Sequence, residues 1–201
     1  MNLERVISKN IVLTLFLILN IGFKKILNLA ATYLIRSSVS ACGKNFEAHF
    51  PFHVRYFRKI EVGNDVSFLD GVCLDAELEE SALLKISDNV RLNKGVKVDF
   101  SGGVHIGKDT LISEFAKILT HSHGYDPRSK PRPKALKIGS SVWIGTGVII
   151  TENVSYIGDN SIVATGSIVT KDIDANSVYA GVPARKIKEF KCQSRKLLNK
   201  R

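Results

Sequence analysis

Aliphatic residues return at every sixth position through the second half of the chain: Ile138, Ile144 and Ile150, then Ile157, Val163 and Val169. A period of six matches neither the 3.6-residue turn of an α-helix nor the two-residue alternation of an ordinary strand. It matches a β-solenoid, in which short strands joined by tight corners stack coil on coil. The ladder continues backwards through Ile106, Ile112 and Ile118, through Ile86, Leu92 and Val98, and through Val62, Phe68 and Leu74. Four residues after the first two members of each set stands a small or β-branched residue. These are Val66 and Val72, Val90 and Val96, Thr110 and Ala116, Val142 and Val148, and Ser161 and Ser167. One large and one small inward position per hexad fills each corner of a narrow prism, so the sequence predicts a mainly β chain of about five coils, running from residue 59 to residue 183.

The spacing between sets locates the insertions. A bare coil of three hexads takes eighteen residues. Ile86 to Ile106 is 20 residues and Ile138 to Ile157 is 19, so those coils carry almost nothing extra. Val62 to Ile86 is 24, which leaves a small bulge around Glu77 to Ser81. Ile106 to Ile138 is 32, which leaves a long loop within residues 119–137, with the core Thr120-His-Ser-His-Gly-Tyr-Asp-Pro-Arg-Ser-Lys-Pro-Arg-Pro133. Solenoid insertions map to surface loops, often on the binding face. This one holds two of the five histidines and three of the five prolines.

The formal net charge is +10, which favours anionic partners such as a phosphorylated cofactor or a membrane surface. No nucleic-acid motif and no aromatic stripe interleaved with Lys and Arg is present, so nucleic acid is not an expected partner. Cys42, Cys73 and Cys192 are odd in number and widely spaced, which indicates neither a disulfide framework nor a zinc site.

Residues 11–23 are almost wholly apolar, with Arg5 and Lys9 before them and Lys24 and Lys25 after. As a helix they reach about 20 Å, short of the roughly 30 Å hydrocarbon core of a bilayer. Ile26, Leu27, Ala30, Tyr33 and Leu34 continue at helical spacing. Residues 1–40 therefore read as an apolar helical segment, and residues 1–35 as a peripheral membrane contact; packing on the solenoid end or on a second copy, and a true span or signal anchor, are the alternatives. Residues 41–58, with Phe46, Phe50, Phe52, Tyr56 and Phe57, read as a cap over the first coil. His49 and His53 stand four apart, but Pro51 argues against the helix that a metal pair would need. Residues 184–201 form a basic tail, in which Ile187, Phe190 and Leu197 suggest a short helix.

The hexad ladder, Thr120-His-Ser-His123 in the loop, Val142-Trp-Ile-Gly145, Gly166-Ser-Ile-Val-Thr-Lys-Asp172 and Ala180-Gly-Val-Pro-Ala-Arg185 together resemble the hexapeptide-repeat acyltransferases. The galactoside and maltose acetyltransferases and the sugar O-acetyltransferases of polysaccharide synthesis are the most similar in motif, over residues 59–190. The resemblance implies a left-handed parallel β-helix assembled as a homotrimer, with active sites between neighbouring subunits. It implies His123 as the catalytic base, although Gly124 stands where the family has Pro. It implies a catalytic role for Asn93, thirty residues earlier, which by itself reads as a turn-filling Asn. Trp143, Thr146, Thr165, Thr170, Lys171 and Arg185 fall on cofactor-contacting positions, as does Lys188, which replaces a family Arg. The sugar-binding N-terminal segment of the galactoside and maltose enzymes is missing here, and the apolar head takes its place.

Acyl transfer from a thioester to a hydroxyl needs a base near its working pH, a donor for the developing oxyanion and an oriented acceptor. Histidine and an Asn amide suit these tasks, and no metal is required. The expectation is an acetyl-CoA-dependent O-acetyltransferase acting on a sugar hydroxyl of a surface polysaccharide or its precursor, in the cytoplasm at the inner face of the membrane. Transfer to an amine, use of another acyl-CoA, and a non-catalytic scaffold subunit are the alternatives. A γ-type carbonic anhydrase shares the fold, but His105, His121 and His123 do not have its ligand spacing. His121 and His123 are two apart and, in an extended segment, point to opposite sides, so that one of them faces the cleft.

Overall fold

The computed structural model describes residues 11–190. A helix, α1 (Ile11–Ser38), precedes a three-sided parallel β-solenoid. The first face stacks Ala41–Cys42, Ile60–Val62, Leu84–Ile86, Val104–Ile106, Leu136–Ile138 and Tyr156–Ile157. The second face runs from Glu47–Ala48 to Ser177–Ala180, and the third from Phe52–Val54 to Ile168–Val169. Every residue of the hexad ladder is buried, and so is every small partner, from Val66 to Ser167. The sequence therefore set the inward positions correctly. The coil number differs: the prism has six complete coils, and a seventh begins with the Ile157–Ile173 bridge and the strand Ser177–Ala180.

The additional first coil comes from residues 41–58, expected to form a cap. Cys42, Ala48 and Val54 pair in register with Val62, Phe68 and Leu74. Their hexad is hard to read because two of its members are small and Pro51 interrupts it. Phe46 packs edge-on against Phe68 with ring centroids 5.0 Å apart. The cap is instead the C-terminal end of α1. Ala31, Ile35 and Val39 are buried over the first coil, and the Thr32 hydroxyl accepts from the Ala48 amide at 2.9 Å and donates to its carbonyl at 3.2 Å.

The corners repeat as regularly as the core. Between the first and second faces, Asn45, Asp65, Asn89, Asp109, Ser141, Asn160 and Asn176 all take φ between 54° and 59°. Asn and Asp tolerate this left-handed region better than other side chains. Each amide after the first donates to a carbonyl of the coil below, as Asn89 does to Asn64 at 2.8 Å and Asn176 to Asp159 at 2.8 Å. At the edge between the second and third faces the same conformation is held by Gly71, Gly95, Gly147 and Gly166, but also by Phe115 at φ 59°.

At the far end the basic tail does not begin as a helix. Arg185–Glu189 is an exposed strand that turns back antiparallel on Ser177–Ala180. The Ile187 and Phe190 spacing is thus not a helical stripe, and Leu197 lies outside the described residues.

Ile118 is fully buried between Val98 and Ile150, whereas the neighbouring Leu119 is 39% exposed. Ile118→Ala is expected to lower stability by about 2–5 kcal/mol and Leu119→Ala by less than about 1 kcal/mol. Urea unfolding at one fixed protein concentration checks the contrast.

Candidate active site

Both insertions leave the prism at the edge between the third and first faces, so the fold brings them together. Asp99 ends a third-face strand there and is the anchor. Its carboxylate accepts from the Thr120 amide at 2.7 Å and hydroxyl at 3.0 Å, the Ser101 amide at 3.1 Å and hydroxyl at 2.5 Å, and His121 Nδ1 at 2.8 Å. Burial opposes ionisation of Asp99, but the donors from Ser101, Thr120 and His121 prevail and hold the carboxyl below its usual range. Ser101 Oγ also accepts from the Glu77 amide at 2.7 Å, which ties the small bulge to the same node.

The long loop starts as a two-residue hairpin, His121–Ser122 paired with Arg132–Pro133. It turns after Ser122, so His121 and His123 do not point to opposite sides as an extended segment would require. Their rings meet edge to face with centroids 5.5 Å apart. Both Nε2 atoms approach Glu77 Oε2, His121 at 3.0 Å and His123 at 3.3 Å. His123 Nδ1 donates to the Ser129 carbonyl at 2.8 Å. That bond, followed by the nearby Glu77 and Asp126 charges, raises the His123 pKa against a smaller opposing effect of burial. A cleft of about 330 Å³ opens here, lined by Arg55, Asp75, Ala76, Glu77, Asp99 and His121.

The other expected site residues stand elsewhere. Asn93 follows the strand Arg91–Leu92 and lies at the edge between the second and third faces. Trp143 lies on the second face beside that edge, 46% exposed, and its indole Nε1 donates to Ser113 Oγ at 2.9 Å. Thr146 and Thr165 succeed one another along the same edge, where the Gly166 amide donates to the Thr146 carbonyl at 2.9 Å. The segment 181–184 closes the top of this edge, with Ala184 and Gly181 bonded to Ile168. Arg185 and Lys188 extend from it on the returning strand, exposed. Thr170 and Lys171 instead follow Ile168–Val169, on the edge that carries the histidines. One chain therefore does not bring Asn93 and His123 together.

Two more histidine environments lie apart from the loop, one on the first face and one low on the second–third edge. His105 sits on the outside of the first face in a concavity of about 610 Å³, half-buried rather than turned to solvent, within 3.3 Å of Ser87 Oγ. Burial, then the Lys137 and Lys85 charges, lowers its pKa. His49 bonds Asp70 at 3.0 Å and Glu47 at 2.7 Å in the first two coils.

WbbJ of Escherichia coli K12, named as a lipopolysaccharide biosynthesis O-acetyl transferase, is 34% identical to the chain over 154 residues, which cover 70% of this chain and 77% of WbbJ. The chain belongs to the hexapeptide-repeat acyltransferases. The galactoside O-acetyltransferase of the same organism is 31% identical over 158 residues, 78% of this chain and 67% of its own. The hexapeptide-repeat acetyltransferase VCA0836 of Vibrio cholerae, solved with acetyl coenzyme A, matches 82% of this chain and 79% of its own, with a TM-score of 0.60 at 25% identity. AntD, an N-acyltransferase from Bacillus cereus, shares the fold with a TM-score of 0.72 at 22% identity, over 83% of this chain and 93% of its own. No family model matches the chain.

In this acyltransferase, sequence reasoning missed four residues. Glu77 and Asp99 are separated from the loop by 46 and 22 residues, and only coil stacking makes them neighbours of the histidines. Ser113 reads as one more small corner residue until Trp143 is seen bonded to it. Phe115 was legible in principle: it interrupts a column of glycines, and its ring lies over Gly95. An aromatic residue with positive φ is uncommon, and this one is 52% exposed beside Asn93 and Trp143.

Asp99→Ala removes the acceptor on which the loop root is built. Amide exchange at Thr120 and Ser101 is expected to rise at least tenfold, with little change at Ile144 in the second face. Site-resolved hydrogen exchange reads both.

Proposed function

We propose that the protein transfers an acetyl group from acetyl coenzyme A to a hydroxyl of a sugar in a surface polysaccharide or its precursor, with His123 as general base. The observation that carries this reading is the way His123 is held. A carbonyl oxygen can only accept, so the bond to Ser129 keeps the hydrogen on Nδ1. In the neutral ring Nε2, the atom a base uses, then carries the lone pair, and it faces Glu77 Oε2 of the cleft wall at 3.3 Å. His123 Nε2 would take the hydroxyl proton as the acceptor oxygen attacks the thioester carbonyl. The tetrahedral oxyanion would be stabilised by donors of the kind Asn93 supplies. The same imidazolium would return its proton to the departing thiolate. The kinship with WbbJ and galactoside O-acetyltransferase supports a sugar hydroxyl as acceptor. The acetyl coenzyme A held by VCA0836 supports the donor. Trp143, Thr146, Thr165, Arg185 and Lys188 line one edge for that donor, with Thr170 and Lys171 on the other.

The assembly follows from the same geometry. Asn93 and His123 lie on different edges of one chain, so a complete site needs the second–third edge of one copy against the third–first edge of the next. Head-to-tail contacts of this kind close into a ring, and a homotrimer is the ring this reading takes.

The acceptor's location is suggested by α1. Leu15, Phe16, Ile18, Leu19, Ile21 and Phe23 are each more than half exposed and cover well over half of the helix circumference, with Asn20 and Lys24 on the remaining side. An apolar face this broad exceeds the single stripe that one neighbouring helix would cover and suits immersion in lipid. Lys25 follows as a basic residue suited to anionic headgroups, while Lys24 pairs with Asp70 at 2.6 Å. We place the helix in the cytoplasmic leaflet, where coenzyme A is available and a lipid-linked acceptor would be presented.

His123→Ala and Asn93→Ala should each lower turnover, the former by roughly 10²–10⁴, with acetyl coenzyme A affinity little changed. Co-expressed in equal amounts, the two inactive chains should recover about a quarter of the wild-type sites, because each site draws one residue from each of two copies. An acetyl-transfer assay over a panel of sugars reads both results. No recovery on mixing would place the site within one chain, and full activity of His123→Ala would remove the base.

Replacing Phe16 and Leu19 together with Glu should abolish flotation of the full chain with vesicles containing phosphatidylglycerol. Undiminished flotation would show that α1 is not the lipid contact.

A further inference from the structure

Glu77 Oε2, His121 Nε2 and His123 Nε2 converge at the third–first edge, and their ligand atoms all lie within 4.8 Å of one another. The other nitrogen of each ring is committed elsewhere: Nδ1 of His121 to Asp99 Oδ2 at 2.8 Å, and Nδ1 of His123 to the Ser129 carbonyl at 2.8 Å. Both partners can only accept, so both Nδ1 atoms carry the hydrogen and both neutral rings aim lone pairs at a carboxylate oxygen. With both rings neutral, three lone-pair atoms face one another, and either a proton on one Nε2 or a bound cation supplies the positive centre between them.

The dimensions suit a transition-metal ion. Bonds of about 2.0–2.1 Å in tetrahedral geometry set ligand–ligand edges of about 3.3–3.4 Å, and octahedral geometry sets about 2.9–3.0 Å. The His–Glu separations are 3.3 and 3.0 Å. An ammonium group bound by three hydrogen bonds would spread its acceptors to more than about 4 Å. The supports are those that orient metal-binding histidines: a carboxylate behind one ring and a backbone carbonyl behind the other. The carboxylate is rigid, because Asp99 is held by Thr120 and Ser101, and Ser101 also fixes the Glu77 backbone.

We infer that Glu77, His121 and His123 bind one divalent transition-metal ion of the Zn²⁺ type per chain. The ion is not a participant in transfer. It takes the Nε2 lone pair of His123, so occupancy and acetyl transfer exclude each other. This second half rests on His123 being the base, and the binding half does not.

The test uses the full chain with Cys42, Cys73 and Cys192 replaced by Ser, which removes competing thiols. After chelator treatment, Zn²⁺ is titrated in competition with a chromophoric chelator. The expected result is one ion per chain, with affinity falling at least tenfold in Glu77→Gln and, independently, in His121→Gln. Absence of binding, or unchanged affinity in both variants, overturns the site. Wild-type transfer should proceed in excess chelator, stop with stoichiometric Zn²⁺ and return on rechelation. Transfer that requires the ion would overturn the exclusion. Failure to bind Zn²⁺, with transfer intact in chelator, would remove the metal site and leave the proposed function standing.

Discussion

The structure depends on the parallel backbone ladder between successive coils. Each strand is only two to four residues long on most faces, too short to persist alone, and each is held by the coil below and the coil above. The inward hexads set the width of the prism, and the left-handed Asn and Asp corners let the chain turn without releasing those bonds. A stack built this way is stable only where it continues or is closed. The C-terminal end of α1 covers the first coil through Ala31, Ile35 and Val39, and the antiparallel strand Arg185–Glu189 returns along the last.

The same stacking positions the chemistry. Because successive coils register residue on residue, insertions made at one edge in different coils meet in space. Glu77 leaves the second coil, Asp99 ends a strand of the third and the long loop leaves the fourth. Asp99 converts that proximity into fixed geometry by binding Thr120, Ser101 and His121. Along the second–third edge Asn93, Trp143, Thr146 and Thr165 follow one another up the stack. The two edges are separate in one chain, and the apolar N-terminal half of α1 projects from the stack.

The coils, the inward residues and the position of both insertions were legible in the sequence, because a six-residue period has few structural explanations and each inward residue contributes an independent sign of it. The first coil was not, since Cys42 and Ala48 are weak core residues and Pro51 reads as a break. The tail was misread as a helix because Ile187 and Phe190 are three apart, a spacing that an exposed strand can also present. The histidine pair was misread because the two-residue alternation of a strand holds only while the strand lasts, and this one ends at Ser122.

By itself, then, the sequence determined a solenoid with a loop at one corner, an apolar head and a set of motif residues that place the chain among the acyltransferases. Periodicity and local turn chemistry suffice for that, because each coil depends on residues within one or two turns of it. Only the tertiary structure decided which of those residues share an edge, that Glu77 and Asp99 stand behind the loop histidines, and that Asn93 stands apart from them. These are contacts across 22 to 46 residues, fixed by the register between coils, and register is a property of the stack that no single hexad carries.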